Sequence, residues 1–370
     1  MAVPLGCVYS KFCSNVQIVS SGGLERSKRV ATLGSVARAA GVSLQTVSNA
    51  LNAPHKVRPD TLARVADEIA RQGYRPNRSA RSLRMRHSGM LGYGLRHPKG
   101  QANPLLDQFL HALAEAAEDR GYHVLLFTEE PDIHSPGIVY RSLLAQQAVD
   151  GFVISDTIAG DERQTWFAQH QVPFAAFGRR WTETEIGSWV DVDGAAGVAA
   201  AVDHVVALGH RRLAFIGWPT GSGVGDDRAR GFTDAATAHG LPADLIVRAD
   251  NSLANGRQLA SELLALVEPP TALICVSDEM AIGCDVAVRD RDLTSGRDIA
   301  ITGFDDSQAA GLPGVAITTL RQPVDEAGDQ VVRLLANQLT NPGAPPDQVL
   351  LRPSLIVRAS TEHHDRQHGR

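Results

Sequence analysis

This 370-residue chain has only four cysteines, 5% aromatic residues and no apolar run near the length of a membrane helix. A membrane span needs ~18 consecutive apolar residues, so that class is excluded as a prediction. Cys7, Cys13, Cys275 and Cys284 form no CxxC pair, which argues against a zinc ribbon and against a disulfide framework. Cys7 and Cys13 could pair in an oxidising compartment, but reduced thiols are the plainer reading. Lys11 interrupts the most apolar part of the first 29 residues, so no clean secretory pattern appears and the expected location is cytoplasmic. GxSxG, HExxH and Walker sequences are also missing, so hydrolase, metalloprotease and nucleotide-hydrolysing chemistry lack their signatures. The expectation is a non-enzyme without cofactor or metal.

What is present is the composition of a soluble globular protein of two or three domains, 43% hydrophobic and 21% charged. The net charge of −5 hides an asymmetry. Residues 30–87 hold ten basic and three acidic side chains, a net of +7; residues 1–29 add +3, and residues 88–370 carry −15, from 22 basic and 37 acidic. A basic module on an acidic body is the footprint of a nucleic-acid binder with a second, separate function.

Within the basic module, Thr32-Leu33-Gly34-Ser35 starts a helical pattern with apolar Val36, Ala37 and Ala40, and Gly41 stops it. Val42 tucks inward, and Ser43 is placed to cap a second helix with Val47, Ala50 and Leu51 inside. Leu44, Gln45, Thr46, Ser48 and Asn49 are then predicted to face outward. A third helix after Pro59 has Leu62, Val65, Ala66 and Ile69 as its stripe and ends near Gly73. Three short helices with a glycine turn make a helix-turn-helix, whose second helix offers Gln and Asn to base edges in the major groove.

TLGSVARAAGVSLQTVSNALN, followed by VRPDTLARVADEIARQGYRPNRSARSLR, resembles the N-terminal region of the lactose-repressor/galactose-repressor (LacI/GalR) family of bacterial transcription regulators. That resemblance implies base-reading positions at Leu44, Gln45 and Asn49 and phosphate contacts at Thr32, Ser43, Thr46 and Ser48. NRSARSLR, Asn77 to Arg84, is too short to hold a helix alone, but its Asn cap suits a helix formed on a partner. It resembles the family's hinge helix, which implies that Leu83 wedges into the operator minor groove and that Ala80 lies where two hinge helices approach.

From Gly89 onward, short apolar runs alternate with helical segments: GMLGYGL, LLDQFLHALAEAAEDRGY, HVLLFT, VDGFVIS and VPFAAFG. A second series starts near Gly194 and runs through RRLAFIGW, LIVRAD, ALICVS and IAITGFDD. Repeated βαβ units predict two similar parallel-sheet lobes, with a ligand bound beyond the carboxyl ends of the strands. ALGHRR, DDRARGF, SDEMAIG, TGFDD and TTLRQP resemble, in order, the periplasmic-sugar-binding-protein fold of the same family's regulatory core. By that resemblance Arg228 and Asp305 are effector ligands, chemically suited to sugar hydroxyls. Ser277 stands where relatives often have Asn, and Asn251 where several have an aromatic that stacks on the sugar. Arg179 ends the VPFAAFG strand, where it could reach the cleft or lie on the surface.

The expected α/β architecture is therefore a three-helix DNA-binding head over residues 30–76, a hinge helix and linker over 77–88, and a two-lobed periplasmic-binding-protein-like core over 89–360. Residues 1–29 read as a disordered arm or as sequence translated ahead of the natural start, and residues 361–370, with His363, His364 and His368, as a disordered polar tail. The resemblance implies a repressor of carbohydrate-utilisation genes whose binding to a near-palindromic DNA operator is controlled by a small-molecule effector, with a sugar as the preferred class; the sign of the effector's action stays open. No leucine heptad run closes the chain, which favours a homodimer over a coiled-coil tetramer. Reading Asp305 and Asp306 as a catalytic pair is disfavoured, because adjacent residues point apart. A binding protein without DNA would lack the basic head.

Overall fold

The computed structural model describes residues 31–74, 87–96, 104–129, 137–182, 184 and 186–362. The expectations for residues 1–29, for Asn77, Ala80 and Leu83 and for residues 363–370 lie outside this set.

Thr32 and Ser35 start the first helix by capping each other. The Ser35 amide donates to the Thr32 hydroxyl at 3.2 Å and the Thr32 amide to the Ser35 hydroxyl at 3.0 Å. This helix, α1 (Leu33–Ala40), ends at Gly41, whose φ of 65° is the left-handed conformation that a glycine adopts without strain. Ser43 caps α2 (Leu44–Asn52), and Pro59, its missing amide harmless in a first turn, begins α3 (Pro59–Gln72). Val36, Ala37, Ala40, Val47 and Val65 close a small core of their own, with Val42, Ala50, Leu51 and Ile69 around it. Gln72 ties α3 back to α1 by accepting from the Ser35 hydroxyl at 2.7 Å. Ala66 does not belong to the apolar stripe; it is exposed, one step past Val65 on the outer side of α3.

The remaining described residues form a second unit, from Ser82 onward in the division of the chain. Its first lobe is a six-stranded sheet of β1 (Met90–Leu95), β2 (His123–Thr128), β3 (Gly151–Ile154), β4 (Phe174–Phe177), β5 (Ser188–Val192) and, from far along the chain, β11 (Gln348–Leu351). The order is β11-β5-β4-β3-β1-β2 and every pair is parallel. Alternate residues serve opposite faces, as a pleated strand requires. Leu91, Tyr93, Val153, Ala175 and Phe177 pack with α4 (Pro104–Asp119) and α11 (Val324–Thr340), while Phe152, Ile154, Phe174 and Ala176 pack with α5 (Ile138–Ala145) and α6 (Glu162–Gln169).

The second lobe repeats the plan with β6 (Leu213–Gly217), β7 (Ile246–Arg248), β8 (Ala272–Cys275) and β9 (Ala300–Thr302), in the parallel order β7-β6-β8-β9. It adds α7 (Gly194–Ala207), α8 (Gly223–Ala238), α9 (Leu253–Leu263), α10 (Asp278–Arg289) and the antiparallel pair β10 (Thr319–Arg321) and β12 (Ser354–Ile356). In both lobes the strand order reverses direction next to the first strand, between β1 and β3 and between β6 and β8. Such switch points open a crevice at the carboxyl ends of the strands. The chain crosses between lobes three times, after β5, after β10 and after β11.

Candidate functional site

On the head, α2 presents Leu44, 55% exposed, beside exposed Gln45 at the helix start, with half-buried Asn49 one turn on. Gln45 Nε2 donates to Asn49 Oδ1 at 2.9 Å, so the two amides stand on one face, four residues apart. Ser43 and Thr46 share a hydroxyl hydrogen bond of 2.9 Å, and the Thr46 amide donates to Ser43 Oγ at 3.1 Å. Thr32 is exposed at its cap. Ser48 departs from the predicted outward row: it is buried, because it flanks Leu51 and Val47 on the inner edge of the helix. Its hydroxyl is therefore not part of the exposed face.

In the core, Arg228 on α8 is buried and reaches the carboxyl edge of the second sheet, where Nη1 donates to the Val276 carbonyl at 2.6 Å. The Phe304 ring supports its guanidinium carbon from 3.5 Å. Nη2 lies 3.7 Å from Asp305 Oδ1, which also accepts from Gln322 Nε2 at 2.6 Å. Among the described residues every contact to this carboxylate goes to Oδ1, leaving Oδ2 unengaged and the side chain 30% exposed. Arg228 Nε is likewise buried with no hydrogen-bond partner among the described residues. Burial pushes Arg228 down and Asp305 up from their ordinary values, and each charge counters the other's shift. Asp305 has a φ of 110°, a conformation that side-chain-bearing residues rarely adopt. The pair thus offers one donor fork and one free acceptor edge in a partly dry site.

Asp306 turns away to Arg321 Nε, at 2.6 Å, and to Arg358. The two adjacent carboxylates face different partners and cannot flank one bond.

Ser277 caps α10 and donates to Asn251 Oδ1 at 2.6 Å. Trp218, the residue after β6, donates its Nε1 to the same oxygen at 3.0 Å, and Asn251 Nδ2 donates to Glu279 at 3.0 Å. Sequence reasoning missed Trp218, although an indole at the carboxyl end of the RRLAFIGW strand was a usable signal.

Arg179 does not lie on the open surface: it is only 18% exposed and bridges the lobes. Its Nε donates to Asp191 at 2.8 Å within the first lobe, and its Nη2 to Asp227 of α8 in the second at 3.3 Å. Burial raises the Asp191 carboxyl and Arg179 opposes that rise. Trp181, at a φ of 60°, stacks on Arg179 at 4.1 Å and lies against Gly223 in the first turn of α8. A Cβ at position 223 would stand 2.1 Å from the indole, so this approach between lobes requires glycine.

The first-lobe edge is charged but internally paired. Buried Arg163 is held by Asp161 and by Glu129, at 2.7 and 2.9 Å, while Arg96 lies 3.4 Å from Glu129. Among the described residues no group of His, Cys, Asp and Glu could hold a metal ion, and no helix is long and apolar enough to cross a membrane.

Behind Asp305, Asp278 anchors α10 to the β9–β10 connection, accepting from Thr319 Oγ1 at 2.5 Å and from the Ser307 amide at 2.6 Å. Burial raises its carboxyl to about 6, against the opposing pull of these hydrogen bonds. In the unfolded chain the group titrates near 3.9, so the folded protein holds the proton more tightly. Its contribution to stability is full below that value and is lost as pH rises to about 6, at a cost of up to about 3 kcal/mol. Asp278→Asn, which can donate to Thr319 and accept from Ser307, should therefore exceed the wild type in stability at pH 7 and lose that advantage near pH 4. Urea midpoints at the two pH values check it; an equal difference at both would refute it.

A family model described as bacterial regulatory proteins, lacI family, matches residues 32–77, and one for a periplasmic binding protein-like domain matches residues 202–361. The HTH-type transcriptional regulator AglR of Rhizobium meliloti (strain 1021) is 31% identical over 327 residues, 87% of this chain and 91% of that protein. The lac repressor dimer bound to operator and the anti-inducer ONPF is 26% identical with a TM-score of 0.77, over 90% of this chain and 99% of that one. The complex of the transcriptional regulator CelR with cellobiose is 28% identical with a TM-score of 0.66, over 89% of this chain and 99% of that one.

Proposed function

The chain belongs to the lacI family of bacterial regulatory proteins, and from that premise we propose that it is a repressor that binds a near-palindromic operator as a homodimer and leaves it when a sugar enters the core. It is a DNA-binding transcriptional regulator; the roles of individual residues and the effector class are the added reading. Leu44, Gln45 and Asn49 meet base edges, while Thr32, Ser43 and Thr46 meet phosphates. Arg228 and Asp305 hold effector hydroxyls, with Ser277 and Asn251 beside them, and Arg179 links the lobes around the site. No catalytic step belongs to this reading, and its setting is the cytoplasm.

The observation that carries the effector assignment is the Arg228–Asp305 pair at a second-lobe strand edge, with Asp305 Oδ2 and Arg228 Nε both unengaged among the described residues. A guanidinium and a carboxylate side by side present a donor and an acceptor, which is what vicinal hydroxyls can satisfy together. The solved complex of a relative with cellobiose favours a saccharide over other hydroxylated ligands. An effector acts on operator affinity only through its different affinity for two states of the protein, typically worth 1 to 3 kcal/mol.

Selection from a random DNA pool should return an inverted repeat, and mono- or disaccharides should be screened for raising the melting temperature and lowering affinity for that repeat. A pool that enriches no repeat would end the operator reading. Saccharides that neither stabilise the protein nor release the DNA would end the effector reading.

A further inference from the structure

Trp218 stands at the switch point of the second lobe, directly after β6 and across from Val276 and Ser277 at the end of β8. That is where a ligand of this sheet lies. The indole is fixed on several sides. Its Nε1 donates to Asn251 Oδ1, an oxygen that also accepts from Ser277, while Asn251 Nδ2 is spent on Glu279, so the amide has one orientation. Arg248 Nη1 donates to the Trp218 carbonyl at 2.8 Å, and a Cβ at position 225 would stand 3.2 Å from the Trp218 Cβ.

The ring is half-buried, and the Arg228 guanidinium carbon lies 5.6 Å from its centroid. Phe304 already occupies the nearer position on that guanidinium, at 3.5 Å. The wider separation is longer than direct stacking, so the indole borders the Arg228–Asp305 pair without covering it. An immobile flat apolar ring next to a donor fork and a free carboxylate oxygen is a complement to a pyranose, which has apolar C–H faces and an equatorial rim of hydroxyls.

We propose that Trp218 is the stacking platform of the effector site, receiving the C–H face of a pyranose whose hydroxyls are held by Arg228 and Asp305, and that Asn251 is a positioning residue that sets the plane of the indole. This rests on the effector reading of Arg228 and Asp305 given above and adds to it the residue that discriminates between sugars. A planar platform accepts rings whose facing hydroxyls are equatorial and rejects an axial hydroxyl pointing into the indole. The C4 hydroxyl of a galactose-type ring projects from one face only, so Trp218 tells such a ring from a glucose-type one where Arg228 and Asp305 fix the face that is presented.

The test uses the full chain labelled with 5-fluorotryptophan, with Trp218→Phe assigning the resonance, and glucose, galactose, cellobiose, maltose and melibiose as probes. The expected result is that a binding saccharide moves the Trp218 resonance. Trp218→Ala should weaken that saccharide by about tenfold or more, with Trp218→Phe, which retains a ring, in between. Asn251→Ala should change the ratio of affinities between glucose-type and galactose-type sugars, a readout that a merely structural role would leave alone. Binding abolished by Asp305→Ala but untouched by Trp218→Ala and Trp218→Phe would overturn the platform while leaving the effector reading in place. If none of the five sugars moves any resonance, or if Asp305→Ala binds them like the wild type, the effector reading falls and the platform falls with it.

Discussion

Asp305→Ala is expected to abolish the effector response over the range in which the wild type responds, raising the effector concentration needed by roughly 10- to 100-fold, while operator affinity without effector stays at the wild-type level. The reason lies in the two oxygens of this carboxylate. Oδ1 is held by Gln322 and faces Arg228, while among the described residues Oδ2 has no hydrogen-bond partner and is the oxygen the proposal gives to the effector. Removing both deletes a charge-assisted acceptor and leaves the Arg228 guanidinium, buried on Phe304, without its nearest carboxylate. Asp305→Asn separates the two effects: it keeps the shape and one acceptor oxygen but removes the charge, so its response should lie between wild type and Ala. The measurement is operator titration across a series of effector concentrations. An Ala variant that still dissociates from DNA at the wild-type concentration would make Asp305 a scaffold residue and move the pocket elsewhere.

The second large effect belongs to the head. Gln45→Ala and Asn49→Ala should each change which base is preferred at one position of the half-site and cost about 1 to 3 kcal/mol on the best operator, the value of a lost bidentate pair. The 2.9 Å hydrogen bond between the two side chains adds a condition. Either substitution releases the other amide to turn, so the two changes should not add, and a double-mutant cycle should show coupling above the ~0.5 kcal/mol seen for independent sites. Binding profiles over all single-base variants of the half-site decide the matter. Two variants with the wild-type profile would remove α2 as the reading helix. Ser48 serves as the contrast: its buried hydroxyl predicts loss of head stability with an unchanged base preference.

The legible parts of this protein were those written in local period. Val36, Ala37, Ala40, Val47 and Val65 recur at helical spacing and form one core, and the βαβ alternation from Gly89 onward gave both parallel sheets. Ser48 and Ala66 were misplaced because each lies at the edge of an apolar stripe, where a rotation of one residue decides burial. The join between lobes was illegible for a different reason. Nothing near Gln348 says that it pairs with Trp189, and nothing near Asp227 says that it receives Arg179 from the other lobe. Trp218 and Gln322 were overlooked because a single polar or aromatic residue after a strand acquires meaning only once its neighbours in space are known. Arg228 and Asp305 were reachable from sequence because they sit inside extended motifs; their shared support by Phe304 and Gln322 was not.

The three crossings between lobes also govern the order in which the protein can be made. The head owns its core and can close once residues 31–74 have left the ribosome. The first lobe cannot, because α11 covers one face of its sheet and β11 forms its edge, and the Asp347 amide reaches the Ser188 hydroxyl across 159 positions. The four-stranded sheet of the second lobe, encoded between β5 and α11, emerges in the interval and can form first, although β12 joins β10 only after β11 has been made. Until the last segment arrives, β5 is an open sheet edge and the apolar faces of Val190 and Val192 lack their cover, the state in which a nascent chain is most exposed to mispairing. A repressor built this way acquires its DNA-reading part early in synthesis and its sensing part only when translation is nearly over.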